Sequence, residues 1–176
     1  LTLSSGLDLE GLADEIWHTF SFGVGGENGA PDAPTDHPLF RDPAWDHVPR
    51  EHCEQLRDRA GRQLGTIGSG NHYIDVFADE QQRLWVGVHF GSRGFGHAVA
   101  SGFLALAEGL RWGSRAPRTE ALLSLDSELG CSYWELMNLA GRYAYAGREW
   151  VARKVMQLMG GAELDLVHNN HNFAWL

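Results

Sequence analysis

Gln63-Leu64-Gly65-Thr66-Ile67-Gly68-Ser69-Gly70-Asn71-His72-Tyr73-Ile74-Asp75-Val76-Phe77 begins as a glycine-dense turn and ends as a strand. Three glycines within six residues punctuate the chain, and the aromatic and β-branched run from Tyr73 to Phe77 suits a pleated, half-buried surface. A second run of the same kind, Leu84-Trp85-Val86-Gly87-Val88-His89, follows the polar stretch from Ala78 to Arg83. The simplest reading of the pair is a β-hairpin. Beyond it, Phe90-Gly91-Ser92-Arg93-Gly94 turns the chain into an Ala/Leu-rich helix, His97 to Leu110.

Upstream, Leu9, Leu12, Ile16, Trp17 and Phe20 recur at helical spacing behind Asp8 and Glu10, which predicts an amphipathic helix over 7–20. Gly23-Val24-Gly25-Gly26 and the Pro/Asp-rich residues 30–43 read as a long loop, and 50–62 as an exposed helix. Downstream, Tyr133, Met137, Ala140, Ala144, Val151, Val155 and Leu158 predict a long helix from Ser132 to Met159, ended by Gly160-Gly161. A last strand is expected over Glu163–Val167, leading into His168-Asn169-Asn170-His171-Asn172-Phe173. No internal repeat is visible. The whole predicts a mixed α/β fold, with hairpin strands lining a cleft and long helices packed outside.

The 176 residues suffice for one moderate domain with a real core. No run approaches the roughly 18 apolar residues of a membrane span. The first residues show no basic n-region or signal-like stretch, so the expected location is the cytoplasm. The opening lacks an initiator Met and reads as if entered mid-domain. The expectation is a single partial domain over residues 1–176. Cys53 and Cys131 belong to no paired motif, which argues against a cysteine-built zinc site. The formal charge is −9, and Lys154 is the sole lysine. A nucleic-acid binder ordinarily presents a basic surface. In an acidic chain that charge must come from bound cations or from sequence outside these residues. Lys154 precedes Val155 and Met156 within a helix, so the K-x-D-G lysine adduct of common nucleotidyl-transferring ligases is absent.

Three histidines share one setting, at the junction of a strand with a Gly- or Asn-rich turn: His72, His89 and His171. Element ends hold a side chain rigidly while leaving it free to face a cleft, and imidazole suits several divalent metals. A single histidine beside a strand is ordinarily a hydrogen-bonded surface or core residue; three in matching contexts make ligation a competing reading. Their separation is unlike the local spacing of a zinc motif, so both readings stay open. His168 and His171 are three apart, and in an extended segment such positions point to opposite faces. His171, flanked by Asn172 and Phe173, repeats the company of His72, whereas His168 reads as structural. The glycines at 65, 68 and 70 suit either a tight turn or a phosphate cradle. Arg93 at a helix start opposes the macrodipole unless it pairs with a carboxylate or a phosphate.

Taken in order, these segments resemble the RtcB family of RNA ligases. The motifs that carry the resemblance are Phe22-Gly23-Val24-Gly25, Gln63 to Asp75, Val88 to Gly94, Leu125-Asp126-Ser127 with Tyr133, Met137 and Tyr143-Ala144, and His171-Asn172. The resemblance implies an RtcB-like fold and a GTP- and manganese-dependent enzyme. Such an enzyme joins RNA 2′,3′-cyclic phosphate or 3′-phosphate ends to 5′-hydroxyl ends in tRNA splicing or RNA repair, and a protein activator is a candidate partner. It further implies that His72 binds one of two Mn2+ ions and that His89 and His171 bind the other. Asn71, His72, Tyr73, Ile74, Asp75, His171 and Asn172 would line the GTP site, and Arg93 is a candidate phosphate contact. The sequence departs from the family pattern at Asp75, where glutamate is usual, and at Phe90, where serine is usual.

The family's upstream Asp and bridging Cys are expected before Leu1, and its guanylylated histidine and nucleotide-contacting lysine beyond Leu176. Alternatives from other classes are a non-catalytic metal- and nucleotide-binding piece and a metal-dependent phosphoesterase. The 176-residue chain by itself is expected to form no covalent GMP adduct. Incubation with labelled GTP and Mn2+, followed by denaturing electrophoresis, checks this; a stable labelled band overturns it.

Overall fold

The computed structural model describes residues 6–170 and 173–175. Its described elements are helices α1 (Leu9–Thr19), α2 (Arg50–Gln63), α3 (Arg93–Ala107) and α4 (Glu128–Leu158), and strands β1 (Tyr73–Ala78) and β2 (Leu84–His89). Two short 3-10 turns, Pro38–Arg41 and Pro43–His47, precede α2. The fold is the expected mixture of helix and strand. Among the described residues no helix is long and apolar enough to cross a membrane. Contacts divide the chain into two compact units, one of residues 1–34, 63–90 and 144–176, the other of residues 35–62 and 91–143.

In the first unit α1 forms where its apolar spacing predicts, with the Asp8 carboxylate accepting from the Gly11 N–H at its start. After α1 the chain runs beside the glycine-dense turn: Ile67 N–H donates to Ser21 O at 2.9 Å and Gly23 N–H to Gly68 O at 2.6 Å. Two sequence motifs about 45 residues apart are thereby joined by backbone hydrogen bonds. The buried core comprises Leu12, Phe20, Ile67, Phe90, Val151, Val155 and Met159. Ile74, Val76, Val86 and Val88 pack against it from the hairpin.

The two strands form the expected antiparallel hairpin, and its register sets Tyr73 opposite His89, Ile74 opposite Val88 and Asp75 opposite Gly87. Side chains alternate along each strand, so Ile74, Val76, Val86 and Val88 turn to the core. Tyr73, Asp75, Phe77, Trp85 and His89 share the other face. Asp79 organises the connecting turn. Its carboxylate accepts from the Gln81 and Arg83 N–H groups, from Arg83 Nε at 2.7 Å and from Trp85 Nε1 at 3.0 Å.

The second unit is built on aromatic packing. Trp45 is fully buried and stacks on Phe95 with ring centroids 4.6 Å apart. Phe95 packs in turn on Tyr143, whose hydroxyl donates to Ala60 O at 2.8 Å. Burial of Tyr143 pushes its phenol pKa up. Here the elements depart from the sequence reading. Helix α2 is not simply exposed, since Leu56 and Ala60 are buried. Helix α3 starts at Arg93 rather than His97, because burial of Phe95 outweighs the helix-weakening glycines beside it. Helix α4 starts at Glu128, where Ser127 Oγ accepts from the Gly130 N–H as a cap.

Glu163–Val167 forms no strand. Its alternating pattern is strand-like, but a strand needs a ladder partner, and β2 is paired with β1 alone among the described residues. Side chains hold this segment instead.

Two measurements check this packing. Gly65 has φ +78° and an added Cβ would lie 2.5 Å from the Trp150 ring. Left-handed backbone costs about 1–2 kcal/mol and overpacking about 1–3 kcal/mol. Gly65→Ala is therefore expected to lower the melting temperature by roughly 5 °C or more; an unchanged transition contradicts the close approach. Hydrogen bonds from Trp85, then Arg83, hold the Asp79 carboxyl down from 3.8 to about 2. A depressed carboxylate stabilises the fold above its unfolded pKa, and the contribution is lost as pH falls through the folded one. The Trp85 indole N–H resonance, which reads its bond to Asp79, should report loosening of the turn between pH 4 and 2, and Asp79→Asn should remove that transition.

Candidate functional site

At the end of the hairpin where β1 begins and β2 stops, the register brings His72, Tyr73 and His89 together. The rings of His72 and His89 have centroids 6.0 Å apart. Tyr73 stacks on His89 at 5.3 Å with 19° between the planes, and Asn71 Nδ2 lies 3.5 Å from His89 Nε2. The glycine turn makes this possible: Gly70 has φ +78°, open to glycine without strain, and it aims Asn71 and His72 back over the last residue of β2. His89 thus has the Tyr73 ring on its face and the Asn71 amide near its Nε2 edge.

The remaining predicted residues fall in different places. Asp75 shares the Tyr73 and His89 face of the hairpin, with its side chain exposed beside Gly87. The side chain of Ile74 packs on the core, so any ligand contact there comes from its backbone. Arg93 opens α3 in the second unit at φ +54°, where burial draws its pKa down while nearby Tyr143 raises it. His171 and Asn172 lie outside the described residues. His168 follows α4 and packs back against it, its ring 4.6 Å from that of Tyr145 and its Nε2 3.5 Å from a Glu149 carboxylate oxygen.

A cavity of about 510 Å3 lies beside β2, between that strand, α4 and residues 161–169. Tyr73 and His89 stand at its wall with Val86, Val88 and Met156. Arg148 also lines it, a residue the sequence reading passed over. Arg148 donates to Phe90 O at 2.8 Å and to Asn170 Oδ1 at 2.9 Å, and burial pulls its pKa down. Nothing in its local sequence sets it apart, because a charged residue in an amphipathic helix ordinarily marks a solvated face.

Among the described residues no group of three or more His, Cys, Asp or Glu side chains is placed to hold an ion. Imidazole is an ordinary ligand for divalent ions, and the 6.0 Å between the His72 and His89 ring centroids sets side by side the two described histidines expected to serve two different ions.

Comparison with known proteins bears on the same residues. The sequence profile of the family "tRNA-splicing ligase RtcB" matches residues 33–174. Proteins of that name share 33% identity over 134 residues in Archaeoglobus fulgidus, covering 64% of this chain and 28% of the relative. In Pyrobaculum aerophilum the figures are 31% over 154 residues, covering 73% of this chain and 32% of the relative. In Pyrococcus horikoshii they are 32% over 147 residues, 69% and 17%. The chain therefore spans less than a third of the length of these relatives. A profile match across most of the chain, taking in the glycine turn, the hairpin and both described histidines, shows that the chain belongs to the RtcB family.

Proposed function

We propose that this chain is the metal- and nucleotide-binding part of a GTP- and manganese-dependent RNA ligase. The ligase would join 2′,3′-cyclic phosphate or 3′-phosphate ends to 5′-hydroxyl ends, in tRNA splicing or RNA repair. The observation that carries the reading is the 6.0 Å approach of His72 and His89 at the hairpin end, with Asn71 beside them, in a chain of this family. His72 would hold one Mn2+ ion, and His89 with His171 the second. Bound there, the ions would supply positive charge to neutralise phosphates and the charge developing at phosphorus.

The chain's own side chains have a separate task, which is to keep the site arranged before ligands arrive. Tyr73 limits rotation of the His89 ring by stacking on it, and Asn71 meets the same ring at Nε2. The buried face of the hairpin anchors both strands, so His89 is carried by a strand and His72 stands directly before one. Asn71 through Asp75 present backbone and polar groups on the face where GTP would lie. RNA would be bound largely outside these residues, since an acidic chain with one lysine offers little general attraction for a phosphate backbone.

Two experiments test the reading. Manganese titration of the chain, followed by the electron paramagnetic resonance signal of free Mn2+, should show uptake that His72→Ala and His89→Ala each weaken by about tenfold or more, a change at least as large as loss of outer-shell partners causes. Equal uptake by wild type and both variants contradicts it. Expressed with whatever further sequence its gene encodes, if any, the protein should join the stated RNA ends only when GTP and Mn2+ are both present. GTP-independent opening of the cyclic phosphate without joining would identify a phosphoesterase instead.

A further inference from the structure

Residues 161–170 follow α4 without helix or strand, and polar side chains of α4 hold them. Arg153 Nε donates to Glu163 at 2.8 Å and also pairs with Glu149. His168 lies against Tyr145 and Glu149. These contacts tie the segment to its own helix and nothing more. Arg148 differs, because it reaches in two directions from the middle of α4.

One arm of its guanidinium donates to Phe90 O at 2.8 Å. The other donates to Asn170 Oδ1 at 2.9 Å and to Asn169 O at 3.3 Å. The group lies over the Tyr145 ring, 5.0 Å from its centroid, in a cation–π contact. Phe90 is the residue after His89, and Asn170 is the residue before His171. A single side chain therefore connects the chain immediately after one expected ligand to the chain immediately before another. No β-ladder makes that connection among the described residues, as β2 pairs only with β1. The planar fork of arginine can serve acceptors on both sides at once, whereas an ammonium on a flexible stem cannot hold the two at fixed spacing.

We propose that Arg148 is a positioning residue for the metal site, fixing the backbone next to His89 against the Asn169–Asn170 segment that precedes His171, without binding the ion itself. The proposal rests on the manganese reading given above. It assigns to α4 a function beyond packing: the helix carries the bracket that sets how two separate stretches of chain approach one ion. Residues of this kind, one step removed from the ligands, commonly change metal affinity by about 10- to 100-fold.

Arg148→Met and Asn170→Ala test the bracket in the 176-residue chain. The first keeps much of the stem and removes the fork; the second removes one acceptor and leaves Arg148 in place. Limited proteolysis within residues 163–170 should quicken by about tenfold or more in Arg148→Met, while α1 and the hairpin stay as resistant as in the wild type. Manganese affinity, read from the free-ion signal, should fall by about tenfold or more in Arg148→Met and by a smaller factor in Asn170→Ala. Should Arg148→Met fail to fold, the graded loss in Asn170→Ala carries the test. Wild-type affinity in both variants, or unchanged cleavage within 163–170, overturns the positioning role. A wild-type chain that takes up no manganese overturns the metal reading and this role with it, and that failure is visible before any variant is made.

Discussion

Pairing of Tyr73 with His89 across the hairpin is the constraint on which the site depends. Because side chains alternate along a strand, one choice of register decides two things together. It sends Ile74, Val76, Val86 and Val88 to the core, and it sets Tyr73, Asp75 and His89 on the opposite face. A slip of one residue would bury the polar set and expose the valines. Burial of the apolar face therefore enforces the geometry of the polar one, and the stability of the hairpin and the placement of His89 have the same physical origin. Asp79 adds a local constraint at the far end, where its carboxylate gathers the turn.

The glycine turn completes the arrangement from the other side. Gly65 lies so close to Trp150 that no side chain fits, and Gly70 takes a backbone conformation that disfavours other residues. Between them, Ile67 is fully buried and Gly68 accepts from Gly23. The turn is held by core packing and backbone hydrogen bonds on both flanks before it delivers Asn71 and His72. That is a more specific role than the general flexibility for which glycine-rich loops are often credited.

Much of this was legible in the chain because it depends on local pattern. The spacing of Leu9, Leu12 and Ile16 marks α1, and alternation from Tyr73 to Phe77 and from Leu84 to His89 marks the hairpin. The setting of His72 and His89 at element ends was visible too, although spacing alone could not bring them together; the antiparallel register does that. The failures share a cause in tertiary context. Glu163–Val167 has a strand pattern without a ladder partner, and the start of α3 follows the burial of Phe95 rather than helix propensity. Arg148 was illegible for a related reason. Its acceptors, Phe90 O and Asn170, stand 58 and 22 positions away, and no local pattern encodes such a meeting. The Ser127 cap, by contrast, carried a signal that could have set the start of α4 correctly.

Charge connects the fold to the proposed chemistry. Many of the cations in this acidic chain are committed to carboxylates: Arg83 to Asp79, Arg142 to Asp42, Arg153 to Glu163, Lys154 to Asp32 and Arg41 to Asp36. Solvent-screened pairs of this kind contribute little to stability, but they leave less positive charge for an anionic ligand. Arg148 lies at the cavity, yet the partners described for it are carbonyl oxygens. Neutral imidazoles add no charge of their own, and they do not oppose the charge of a cation they bind. Under the proposed reading, ions held by such imidazoles would bring their full charge to where phosphates could meet it, while the surrounding protein stays acidic. Under the metal reading, the low lysine content and the clustered histidines are two aspects of one electrostatic solution, in which ions rather than side chains provide the attraction for a polyanion.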